Sequence, residues 1–180
     1  MPCRGVSHGR PTRLTEPTTQ GDSMNAEQKT LLIVAHAVSP NLRRLLAALR
    51  AGAKAGGEEQ VKLVSLSPFE TQAEHVLAAD GILLLTPENL AYMSGAMKDF
   101  FDRNYYPTLD HQQGLPYALV VRAGNDGSGT VAGVERIVTG LRWKPVADAL
   151  ICRGEFQPEF VDNCHELGAA MAAGLAAGVL

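Results

Sequence analysis

The chain has 180 residues, 46% of them hydrophobic and 19% charged. These proportions exclude a disordered, coiled-coil or collagen-like protein, and the length suits one domain with a full core. The balance of 16 basic against 19 acidic residues gives a formal charge of −3, so no basic excess points to nucleic acid and no strong acidity to a basic partner.

The first 23 residues, MPCRGVSHGRPTRLTEPTTQGDS, hold three Pro, four Thr and three Arg and almost nothing apolar. They lack the apolar run of a signal peptide. Residues 1–23 are expected to be a disordered N-terminal extension, and residues 24–180 the folded domain. Thr30–Ala35 (TLLIVA) reads as a buried strand. Pro40–Ala55 reads as a helix with Leu42, Leu45, Leu46, Leu49 and Ala53 on one face, ended by Gly56-Gly57. Val61–Leu66 is a second strand, Thr71–Ala79 a weak helix and Gly81–Leu85 a third strand. Ser94–Asn104 is a helix with Met97, Phe100 and Phe101 inward and Lys98/Asp102 and Asp99/Arg103 pairs outside. Tyr105, Tyr106, Pro107 and His111 are expected in a Pro-containing insert after it.

Tyr117–Arg122 is the fourth strand, and Thr130–Leu141 a helix with Val131, Val134, Ile137, Val138 and Leu141 inward. Trp143 reads as packing, at the core or at a subunit contact, before a fifth strand at Ala149–Cys152. Pro158 can open a last helix, on which Val161, Cys164, Gly168, Met171 and Leu175 share a face. Its stretch from Leu167 to Leu180 is too short and too rich in Gly and Ala to cross a bilayer, so no membrane association is expected. Cys3, Cys152 and Cys164 are the only cysteines. An odd, sparse set without CxxC argues against a disulfide framework or zinc site and suits a cytoplasmic protein.

Five strands thus alternate with five helices. The strands are continuous apolar runs, so both sheet faces must be covered. This is an α/β domain with a doubly wound parallel sheet, and it fits the 2-1-3-4-5 strand order of flavodoxin-like folds.

Ligands in such sheets sit beyond the carboxyl ends of the strands. The loop after strand one, His36 to Asn41, carries Ser39, Pro40 and Asn41 at a helix start, which suits either an anion site or a plain helix cap. The loop after strand three runs from Thr86 to Gly95. The loop after strand four, Ala123 to Gly129, has three glycines that let a backbone approach a ligand. There is no GxxxxGK[ST], GxGxxG after strand one, GxSxG or HExxH, and the scattered histidines suggest no metal.

The segment TPENLAYMSGAMKDFFDR (Thr86–Arg103) resembles the corresponding segment of flavodoxin-like NAD(P)H:quinone oxidoreductases of the tryptophan-repressor-binding-protein type. It is also similar to TPEYNGSIPGALKNFIDW of the NADPH-dependent FMN reductases. The resemblance extends more loosely from Thr30 to about Cys152. It implies FMN as cofactor and NAD(P)H as co-substrate. Carried onto this chain, it puts His36, Ser39, Asn41 and Leu42 in a phosphate loop. Thr86, Pro87, Glu88, Asn89, Leu90, Ala91 and Tyr92 fall around the isoalloxazine, where Tyr92 either lines the ring or is a packing residue. Gly124, Asn125, Asp126, Gly127 and Gly129 fall at the ring's other edge. The TxTGxT of long-chain flavodoxins is absent, and the reductases' Tyr-Asn after Pro-Glu is Asn89-Leu90 here.

The function expected is hydride transfer from NAD(P)H to a quinone, flavin or similar small acceptor, by a homodimer or homotetramer. No catalytic side chain is expected, because the flavin carries the chemistry. A flavodoxin-type electron carrier is the alternative. Such carriers sandwich the flavin between aromatics and are strongly acidic, whereas the third loop here has no aromatic residue. A flavin-free interaction module is a third reading.

Overall fold

The protein is described as a computed structural model covering residues 1–2 and 28–180. The expected extension over residues 1–23 lies, beyond its first two residues, outside the described ones. The elements run β1 (Lys29–Ala35), α1 (Pro40–Gly57), β2 (Val61–Leu66), α2 (Ala73–Leu77), β3 (Gly81–Asn89), β4 (Tyr92–Met93), α3 (Gly95–Thr108), β5 (Pro116–Ala123), α4 (Ser128–Gly140), β6 (Lys144–Pro145), β7 (Leu150–Arg153) and α5 (Glu159–Ala176).

The sheet is parallel in the order β2-β1-β3-β5, followed by a fifth position shared between two short strands. β6 pairs with Pro116 and Tyr117 at the start of β5, and β7 with Val120 to Ala123 at its end. The flavodoxin-like order therefore holds, with its last strand split. β4 alone is antiparallel, folded back on β3.

The apolar strand runs divide between two cores by simple alternation. Leu31, Ile33, Leu83, Leu85, Ala118 and Val120 point to one face, where they pack with Leu45 and Leu49 of α1 and Met171 and Leu175 of α5. Leu32, Val34, Ile82, Leu84, Leu119 and Val121 point to the other, against Met97, Phe100 and Phe101 of α3 and Val134 and Val138 of α4. Trp143 belongs to this second core, between the rings of Phe101 and Tyr117 at 6.4 Å from each. It is 6% exposed, which settles its place as internal packing rather than a subunit contact.

Several boundaries differ from the sequence reading. Gly56 and Gly57 do not end α1; they are its last turn, and the chain leaves at Glu58, which has φ 44°. The reason is packing. A Cβ on Gly56 would stand 2.2 Å from the Ala169 carbonyl oxygen of α5, so the two helices touch through their backbones. The weak helix shrinks to Ala73–Leu77. Tyr105, Tyr106 and Pro107 are not an insert but the end of α3. There Asn104 donates from its side chain to the Phe100 carbonyl and Thr108 to the Asn104 carbonyl, holding the last turn where Pro107 supplies no N–H. α4 starts two residues early, at Ser128. The Lys98–Asp102 and Arg103–Asp99 pairs on α3 form as expected.

Candidate functional site

The carboxyl-terminal parts of β1, β3 and β5 pair side by side, β1 ending at Ala35 while β3 and β5 run on to Asn89 and Ala123. Ala35 pairs with Leu85, and Thr86 and Pro87 with Val121 and Arg122. The three segments singled out in the sequence therefore leave the sheet side by side.

The first segment is tied to β3 by the His36 N–H, which donates to the Leu85 carbonyl. Ser39 then caps α1: its Oγ accepts from the Leu42 N–H at 3.2 Å and its carbonyl from the Arg43 N–H. Leu42 itself is 2% exposed, its side chain sunk in the core. Among the described residues, the N–H groups of Ala37, Val38, Ser39 and Asn41 have no protein acceptor. They surround the positive end of an 18-residue helix, an arrangement suited to a phosphate. Neither nearby arginine answers that site. Arg43 donates to the Val38 carbonyl, and Arg44 lies 4.4 Å over the Phe156 ring.

His36 carries a further mark. Its Nδ1 is buried without a partner, and burial holds the imidazole below its ordinary value of 6.5. The unfolded chain therefore takes up a proton before the folded one does. Stability should fall as the pH drops below about 6.5, down to the depressed folded value. His36→Asn should flatten that acid slope in urea titrations, and a phosphate bound to the loop, by drawing the ring back toward protonation, should flatten it too.

The second segment is a hairpin rather than a loop. β3 continues through Thr86, Pro87 and Glu88 to Asn89, turns at Leu90 and Ala91, and returns as Tyr92 and Met93. Leu90 and Ala91 have φ of 52° and 60°, the two positive values of a type I′ turn that normally selects Asn-Gly. Thr86 fixes the base of the hairpin: it is fully buried, and its Oγ1 accepts from the Ser94 N–H at 3.2 Å. Ser94 in turn caps α3 through the Met97 N–H. At the tip Leu90 is wholly exposed. Tyr92 lies against Gly133 of α4, where a Cβ would meet its ring at 2.4 Å, yet is still 40% exposed. One face packs and an edge stays open.

Glu88 links the second segment to the third. Its carboxylate accepts from the Asn125 N–H at 2.9 Å and the Gly127 N–H at 3.1 Å. Asp126 turns the other way, accepting from the N–H and hydroxyl of Ser128 at the start of α4, bonds that hold its carboxyl below the usual range. Gly127 has φ 75°, Gly129 lies against the Ala91 carbonyl, and Gly124 faces open space. Below them Arg122 donates to the carbonyls of Ala123, Cys152 and Gly154, joining the ends of β5 and β7. Arg122 has no part in the sequence reading; only its place at the end of an apolar run sets it apart.

Two charge-assisted bonds make Glu88 the tie between hairpin and third loop. Glu88→Ala should cost about 2 kcal/mol of stability, discounted toward the lower end by partial exposure, and Glu88→Gln about half of that. Urea unfolding of the two variants checks both the direction and the order.

Among the described residues, no group of three or more His, Cys, Asp or Glu could hold a metal ion, and no helix is long and apolar enough to cross a membrane.

Comparison with known proteins agrees with this geometry. Residues 41–156 match the family described as NADPH-dependent FMN reductase. No curated protein sequence matches the chain. Among solved structures, the chain is similar to a flavodoxin-like, WrbA-like protein from Agrobacterium tumefaciens (TM-score 0.65, 15% identity, covering 84% of this chain and 98% of that one). It is similar to the flavodoxin of Megasphaera elsdenii (TM-score 0.66, 20% identity, 79% and 98% covered). An azoreductase from Bacillus anthracis is also similar (TM-score 0.57, 15% identity, 82% and 98% covered). At these identities the structures speak for the fold.

Proposed function

The chain belongs to the NADPH-dependent FMN reductase family, and from that premise we propose that it is an FMN enzyme moving a hydride from NAD(P)H to a quinone, flavin or similar small acceptor. The observation that carries the reading is the set of acceptor-free N–H groups at Ala37, Val38, Ser39 and Asn41, beside a hairpin and a third loop bound together by Glu88.

FMN, when bound, accepts the hydride and passes its electrons on. The protein's part is placement. The first loop would hold the phosphate on backbone N–H groups and the α1 dipole. The hairpin residues Pro87 to Tyr92 would present main-chain groups to one edge of the ring. The third loop, Gly124 to Gly129, would close the other edge, its backbone kept in position by Glu88 and Arg122. With no aromatic side chain in that loop, one flavin face stays free for nicotinamide and acceptor to stack in turn. The two buried free thiols, Cys152 and Cys164, accord with a reducing compartment, and the reading includes a cytoplasmic homodimer or homotetramer.

Shared use of one face predicts ping-pong kinetics. Double-reciprocal plots of NAD(P)H oxidation at several fixed quinone concentrations should be parallel. Intersecting plots would mean that both substrates bind together. An FMN protein that NAD(P)H cannot turn over would be an electron carrier instead.

A further inference from the structure

Two nucleophilic side chains take no part in the site described above. Cys152 lies near the end of β7 and Cys164 on the first half of α5. Both thiols are free and wholly buried, and both point into the core that α1 and α5 cover. They meet there, where the Cys164 thiol donates a hydrogen bond to the Cys152 sulfur. That bond, and after it the charge of Arg122, holds the Cys152 thiol below its ordinary value. The same bond, with burial, pushes Cys164 up. The two sulfurs are therefore unequal: Cys152 is the better thiolate, and Cys164 keeps its proton.

Their supports are unequal too. Gly52 and Gly168 bring the backbones of α1 and α5 together at the His165 and Leu49 carbonyls, so Cys164 sits on a helix that cannot shift. β7 has four residues and pairs, among the described residues, with β5 alone. Leu150 and Ile151 within it are only partly buried. A cavity of about 370 Å³ opens along the seam between β7 and α5, lined by Leu150, Asn163 and Leu167. A short edge strand opens locally at low cost, which gives a water-sized oxidant a way to a buried sulfur. The end of β7 is in turn joined to the start of the third loop. Arg122 donates to the carbonyls of Ala123, Cys152 and Gly154, and the Gly154 N–H donates to the Ala123 carbonyl.

We propose that Cys152 and Cys164 are a redox site that hydrogen peroxide closes to a disulfide, and that closure displaces the third loop. The pair stands independently of the function proposed above; the effect on FMN rests on it. The Cys152 sulfur attacks one peroxide oxygen. An S–O bond forms, the O–O bond breaks, and the leaving hydroxide departs as water with the Cys152 proton. The Cys164 sulfur then attacks the Cys152 sulfur. The S–S bond forms, the S–O bond breaks, and a second water leaves with the Cys164 proton. Two thiols lose two electrons, and one peroxide becomes two waters. A disulfide holds its sulfurs closer than a thiol hydrogen bond does. With α5 fixed, the end of β7 moves, and it draws the Cys152 and Gly154 carbonyls away from Arg122.

The test uses the full chain, reduced, exposed to hydrogen peroxide, alkylated and digested with trypsin. Residues 143–153 and 154–180 are separate tryptic peptides, because Lys144 precedes Pro145 and no Lys or Arg follows Arg153. One holds Cys152 and the other Cys164. They should appear as one disulfide-linked species that dithiothreitol separates. In Cys164→Ser, the sulfenic acid should persist on Cys152 and be captured by dimedone; in Cys152→Ser, Cys164 should capture none. FMN affinity of the oxidised wild type should fall at least about threefold and return with dithiothreitol. Linkage of Cys152 to Cys3 or to a second chain, linkage found only in urea-unfolded protein, or dimedone on Cys164 instead of Cys152 would overturn the site. A linked pair with unchanged FMN affinity would overturn its coupling to the third loop. Should the reduced protein take up no FMN, the function proposed above fails, and the peptide map still decides the redox pair.

Discussion

Replacing Ser39 by glutamate should abolish FMN binding and leave the fold standing. Neither lysine nor arginine occurs between His36 and Leu42, and Arg43 and Arg44 are turned to Val38 and Phe156. The phosphate must then be held by backbone N–H groups and the α1 dipole. The helix terminus contributes about 0.3–2 kcal/mol, and each hydrogen bond to a charged group about 1.5–3 kcal/mol. Together they should favour FMN over riboflavin by about 4 kcal/mol or more, on the order of a thousandfold. A glutamate at position 39 puts a carboxylate where the phosphate belongs.

The structure adds a control. Because Ser39 Oγ already caps the Leu42 N–H, Ser39→Ala should cost about 1 kcal/mol of stability while keeping most of the FMN affinity. Fluorescence-quenching titrations with FMN and riboflavin on the wild type and both variants separate the two effects. Equal affinities for FMN and riboflavin in the wild type would mean that the phosphate lies elsewhere.

Gly129→Val should carry the second large effect. A Cβ at Gly129 would stand 2.1 Å from the carbonyl oxygen of Ala91. That neighbour is backbone in a tight two-residue turn, so it cannot swing aside. The hairpin must lift off α4, and overpacking of this kind costs about 1–3 kcal/mol. The displaced hairpin edge is the one proposed to meet the flavin ring, so FMN affinity should fall at least about tenfold. Gly124→Ala is the matched comparison. That position has no protein atom around it and no positive φ, so stability should stay near wild type. Thermal melts and FMN titrations on the pair check both statements.

This contrast shows how far the sequence could be read. Gly124, Gly127 and Gly129 look alike in the sequence, and only their neighbours separate an open position, a left-handed turn and a close helix–hairpin contact. Strands and helices were legible because the sheet is buried on both faces. Runs such as GILLL can go nowhere else, and Met97, Phe100 and Phe101 mark the inner face of α3 directly.

The hairpin was not legible for a local reason. Its turn uses Leu90-Ala91 at positive φ, where residue preferences would demand Asn-Gly, and the compensating contacts come from α4, some forty residues later in the chain. The fifth sheet position was read at Ala149–Cys152, where β7 lies, but its other half, β6, was missed because a two-residue strand leaves no periodicity. Glu88 was identified as part of the middle segment, but its actual partners, the N–H groups of Asn125 and Gly127, are backbone groups that no sequence pattern reveals. The same holds for Gly56 and Gly57. Two consecutive glycines suggest a helix end, whereas here Gly56 lets α1 press its backbone on Ala169 of α5 and Gly57 makes room for the Val61 side chain of β2.

The most direct test of the central claim is an anaerobic titration of the FMN-loaded protein with NADPH, followed in the visible flavin absorption band. One FMN per chain, bleached by one equivalent of NADPH and restored by a quinone, is the result expected of three loops that hold the flavin with one face open. A protein that takes up no FMN, or whose flavin band yields to dithionite but not to NADPH or NADH, would contradict it.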